Sequence, residues 1–136
     1  IAVIAVTLNR EVGADVEFVD PEFDVFSIAP SVFSPVEVAH LRSLSQNVQT
    51  TAFFAGWTRK EALLEAIGDG LSSADELQSA VSLINEDRDS CRLFANNRTT
   101  DWSLTSFEID DDFKAALVVE GKIGPVRYLR LADDRE

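Results

Sequence analysis

The chain has 136 residues, 46% of them hydrophobic, with 24 acidic and 12 basic side chains and a formal net charge of −12. That length and apolar content predict one domain over residues 1–136, large enough to bury a core without disulfides or a structural metal. The charge argues against nucleic acid and membrane as partners, because a negative field repels phosphate backbones and anionic headgroups alike.

In chain order, residues 1–8 read as a nearly all-apolar strand, too short for a membrane span or a signal segment. No Lys, Pro or other edge-blunting device appears before Arg10. This strand is therefore expected either to lie centrally in its own sheet or to pair with another subunit. Residues 14–20 alternate, with Val16 and Phe18 on one face and Asp15 and Glu17 on the other, after a turn at Gly13. Residues 23–29 read as a third strand, stopped by Pro30.

The middle third carries helix-start signals. Ser34-Pro35-Val36-Glu37 combines a capping box with Pro at the first helical position, and Val38, Leu41, Leu44 and Val48 follow at helical spacing. Residues 49–55 read as a short buried strand. Thr58-Arg59-Lys60-Glu61 repeats the box before Leu63, Leu64 and Ile67, with Gly68 and Gly70 closing the helix. Ser73-Ala74-Asp75-Glu76 forms a third box before Leu77, Ala80, Val81 and Ile84. Strands return at 91–95, 102–109, 115–120 and 126–131, and the short gap holding Gly121, Gly124 and Pro125 predicts a hairpin of the last two. The expected class is α+β: a mostly antiparallel sheet of N- and C-terminal strands with about three central helices packed on it.

No catalytic constellation stands out. His40 is the only histidine and Cys91 the only cysteine, so a triad lacks its parts and zinc lacks its four N/S ligands;. A loop counted from Asp110 has Ala115 where an EF-hand needs Gly, so Glu108-Ile109-Asp110-Asp111-Asp112 reads as a solvated turn. Gly68-Asp69-Gly70 follows a helix, where a dinucleotide loop would follow a strand. The expectation is no catalytic residue, no metal and no cofactor.

Two surfaces remain as candidates for a protein partner. One is the acidic run containing Asp15, Glu17, Asp20, Glu22 and Asp24, which suits a basic partner. The other is the polar stretch with Asn97, Arg98 and Trp102, whose residue types favour contact surfaces. A lone thiol points to an intracellular or virion setting rather than a secreted one. The resulting expectation is a non-enzymatic structural or assembly protein, an accessory subunit of a virion or other large complex, working as a homo- or hetero-oligomer. The alternative is an acidic inhibitor or immunity-type protein that binds a basic enzyme, and the third reading is an enzyme of unrecognised mechanism.

Overall fold

The computed structural model describes residues 1–68, 90–95 and 98–131. Within them the order is β1 (Val12–Phe18), α1 (Val25–Val32), α2 (Pro35–Ser43), α3 (Gln46–Ile67), β2 (Ser90–Ala95), β3 (Arg98–Asp110) and β4 (Phe113–Glu120). The four strands form one antiparallel sheet in the order β1-β4-β3-β2, and the α+β expectation holds. The first strand is thus an edge strand beside the last. The Ser73 box and the stripe of Leu77, Ala80, Val81 and Ile84 lie outside the described residues.

Helix α3 organises the molecule because its two halves bury different faces. Phe53 and Phe54 in its first half pack with Val25, Ala29, Phe33 and Leu41 into a core shared with α1 and α2. Ala62, Leu63, Ala66 and Ile67 in its second half pack on Trp102, Leu104, Ala116 and Val118 of the sheet. Fully burying side chains such as Phe53, Leu63 and Leu104 is worth about 1.5–3 kcal/mol each;.

Several local expectations fail for identifiable reasons. Residues 23–29 do not form a strand. Val25, Ala29 and Phe33 are the buried set, and their spacing of four is helical, so burial keeps α1 helical even with Pro30 inside it;. Residues 49–55 are part of α3, whose 22 residues outweigh the strand preference of Thr50, Thr51 and the two phenylalanines;. Thr58 starts no helix either; its hydroxyl donates to the Ala55 carbonyl one turn back, at 3.0 Å. Residues 1–8 and 126–131 form no strand in the described structure, so the expected closing hairpin is replaced by β2–β3 and β3–β4. Other signals hold. Ser34 and Glu37 form the reciprocal capping box of α2, and Gly68 ends α3 at φ 66°. The Asp110–Asp112 segment is a turn, with the Asp112 N–H donating to Asp110 Oδ1 at 3.0 Å.

Candidate active site between β1 and α3

Strand β1 lies directly on α3. A Cβ built on Gly13 would stand 2.0 Å from the Ala62 carbonyl oxygen and 2.5 Å from the Ala66 nitrogen. Gly13 has no positive φ, so space rather than backbone conformation calls for glycine here;. Side chains alternate along a strand, so Asp15 and Glu17 share the face of Gly13 and look toward the same helix. These two carboxylates, expected on a surface for a basic partner, therefore point toward α3 and are half-buried.

On α3, Glu61 and Glu65 sit four residues apart and so occupy one side of the helix. Asp15 feels Glu17, Glu61 and Glu65, and its carboxyl is pushed up to about 6, first by burial and then by these charges;. Glu17 is also raised, by burial and by Glu61. Asp15 Oδ2 is enclosed and has no hydrogen-bond partner among the described residues. The Glu65 carboxylate accepts the Ala14 N–H at 3.0 Å. Lys114 stands opposite Glu17 in register, but its ammonium pairs with Glu108. Lys60, beside Glu61, is turned into the protein, where it is 1% exposed and bonds Glu37 at 3.2 Å. Burial lowers its pKa and Glu37 counters that shift. This buried pair ties α3 to the first turn of α2, since Glu37 also accepts the Ser34 N–H.

A site built of carboxylate oxygens, with one oxygen buried and unsatisfied, has the donor chemistry of a hard divalent cation. Among the described residues no group of three such side chains is gathered tightly enough to hold a metal ion by itself. A magnesium-type site does not require one, because it uses one or two carboxylates with water and substrate phosphates.

The other expected site residues fall elsewhere. Asp20 accepts the Glu22 N–H in the turn after β1, and Asp24 precedes α1. Arg98 opens β3, two strands from β1, and pairs with Glu120 at 2.7 Å. Trp102 is 3% exposed and belongs to the core, so it offers no contact surface on this chain. Asn97 lies outside the described residues. Burial pushes the Cys91 thiol up to about 11, which suits a structural thiol better than a nucleophile;. Gly13, expected in a turn, lies within β1, and Glu61, expected in a capping box, lies within α3. Neither was expected at a site, although Gly13-Ala14-Asp15-Val16-Glu17 has the alternation that places a glycine and two acids on one face.

Residues 11–118 match the ACPS family, the 4'-phosphopantetheinyl transferase superfamily. The chain belongs to this superfamily of group-transferring enzymes, and the matched span runs from the start of β1 into β4, taking in Asp15, Glu17 and Glu61. It is similar to the 4'-phosphopantetheinyl transferase HetI of Nostoc sp. (strain PCC 7120), 35% identical over 122 residues, 89% of this chain and 48% of HetI. It is also similar to the 4'-phosphopantetheinyl transferase gsp of Aneurinibacillus migulanus, 39% identical over 69 residues, 51% of this chain and 28% of that protein. A crystal structure of Thermotoga maritima holo-[acyl-carrier-protein] synthase aligns with a TM-score of 0.48 at 21% identity, covering 83% of this chain and 64% of that one. The chain thus spans about half the length of HetI. The family overturns the expectation of a non-enzymatic assembly, virion or inhibitor protein. That expectation failed because Asp15 and Glu17 read as part of a surface for a basic partner, and nothing local in the sequence joins them to Glu61 on α3. No helix among the described residues is long and apolar enough to cross a membrane.

Proposed function

We propose that the protein carrying this chain transfers a 4'-phosphopantetheinyl group to a hydroxyl of a protein partner, of the acyl-carrier type, at the carboxylate cluster of Asp15, Glu17 and Glu61. The observation that carries the reading is the convergence of these three acids from β1 and α3 within the family-matched span. The transferred group moves through its phosphate, so the acceptor oxygen forms a bond to phosphorus as the bond to the leaving group breaks. Carboxylates alone would repel that phosphate. A magnesium-type ion, which carboxylates of Asp15, Glu17 and Glu61 would hold, would supply the positive charge that offsets the phosphate oxygens.

The chain's own residues then have distinct tasks. Two of the three carboxylates suffice to hold such an ion, which leaves a third to take the proton from the attacking hydroxyl. Gly13 sets how closely the two acids of β1 approach Glu61. The buried Lys60–Glu37 pair fixes α3 against α2, so the residue next to Glu61 is anchored. The test is a steady-state transfer assay on an acyl carrier protein with magnesium present, comparing wild type with Asp15→Asn, Glu17→Gln and Glu61→Gln. Each variant should keep its fold by circular dichroism and lose about 10²-fold or more in kcat/KM, the scale set by removing one electrostatic contributor. Near-wild-type transfer by all three would reject the site.

A further inference from the structure

Glu65 is a member of the acidic group that the proposed chemistry does not use, and its geometry differs from that of its neighbours. It is exposed, and one of its oxygens is occupied by the Ala14 N–H at 3.0 Å. That amide belongs to the open side of the sheet. Glu120 N–H donates to the Glu11 carbonyl and Val19 N–H to the Asp112 carbonyl, one at each end of the β1–β4 ladder. In an antiparallel pair hydrogen-bonded residues alternate, so the odd-numbered residues of β1 bond to β4 and the even-numbered ones point their N–H and C=O groups away from it. Among the described residues β1 is an edge strand, and Ala14 has no neighbouring strand there to donate to. The Glu65 carboxylate supplies the missing acceptor from the helix above. The contact lies next to Gly13, whose missing side chain lets β1 lie against α3, and next to Asp15.

We propose that Glu65 is a positioning residue for the site: its side chain staples the open edge of β1 to α3 and so sets the placement of Asp15 relative to Glu61. The proposal rests on the reading of that cluster as a cation-dependent transfer site. In this role Glu65 acts through the Ala14 backbone, to which one of its oxygens is turned, and not by coordinating the ion. The same contact fills one of the outward N–H groups beside the site that a foreign strand could otherwise use, and a carboxylate is well suited to that role because it accepts and cannot donate.

Two variants of the full chain separate the staple from the charge. Glu65→Gln removes the charge but keeps a carbonyl able to accept the Ala14 N–H, whereas Glu65→Ala removes both. Amide hydrogen exchange at Ala14 and magnesium affinity by calorimetry are measured on each. Glu65→Ala should speed Ala14 exchange and weaken magnesium binding by about 10-fold, the lower end for residues that orient ligands without touching the ion. Glu65→Gln should resemble wild type in both. Magnesium binding as weak in Glu65→Gln as in Glu65→Ala would show that charge, and not the staple, matters, and would overturn the proposal. Equal Ala14 protection in all three proteins would remove the staple itself. A wild-type chain that takes up no magnesium would sink the reading of the cluster and this role with it, and the Ala14 exchange would still report the staple separately.

Discussion

Replacing Gly13 by alanine tests how closely β1 lies on α3. The new Cβ would lie 2.0 Å from the Ala62 oxygen and 2.5 Å from the Ala66 nitrogen, where ordinary contact begins at 3.4 Å. Both obstacles are helix backbone, which cannot rotate aside as a side chain would. Helix and strand must therefore separate by about 1.4 Å, or β1 must twist locally;. Overpacking of this kind costs about 1–3 kcal/mol, and a contact this short belongs at the upper end. Alanine also restricts the unfolded chain, which returns about 0.4–1 kcal/mol. The net loss should be about 2 kcal/mol, read as a lower midpoint in urea denaturation. Function should suffer more, because a displacement of about 1 Å at a reacting centre can cost about 10²-fold in rate. Gly124→Ala is the control: nothing lies within 4 Å of its added Cβ, so it should be neutral or slightly stabilising;. If Gly13→Ala matches wild type in both stability and transfer, β1 does not need to lie this close to α3.

Three further outcomes follow from the structure. Asp15 is raised to about 6 when folded, so its proton favours the native state; stability is greatest below the unfolded value and is lost as pH rises toward 6;. Asp15→Asn should therefore be more stable than wild type above about pH 6 and equal to it near pH 4, and a gap that does not change with pH would contradict this. Lys60→Met leaves Glu37 buried without that ammonium and should lower stability by about 3–5 kcal/mol, while Lys60→Met with Glu37→Leu should recover much of it;. Native Cys91, with its thiol pushed up to about 11, should react slowly with an alkylating reagent at mildly alkaline pH and rapidly once unfolded in urea;.

What could be read in advance was whatever local chemistry dictates. The Ser34–Glu37 box and the Gly68 stop rest on interactions within a few residues, the strands near 102–109 and 115–120 on local residue preference, and each is present. The failures arise where tertiary packing decides. Thr58-x-x-Glu61 has the residues of a helix start, yet it lies inside α3, because burial on the sheet and on α1 runs through it unbroken. Asp15 and Glu17 were placed on the correct face of their strand relative to Val16. Which face meets the helix depended on Gly13, whose lack of a side chain admits α3. Glu61 is 44 residues from Glu17 in sequence, and nothing local joins them. Composition misled as well, because with 24 acids any pair of carboxylates seems fortuitous until the fold selects one.

The most direct test of the central claim is the intact mass of an acyl carrier protein after incubation with the protein, a phosphopantetheinyl donor and magnesium. With wild type the carrier should gain the mass of one phosphopantetheinyl group, and a chelator should prevent the gain. With Asp15→Asn or Glu61→Gln, both folded, the carrier should keep its starting mass over the same interval. Modification by these variants at the wild-type rate, or wild-type modification undiminished by the chelator, would contradict the assignment of transfer to the carboxylates between β1 and α3.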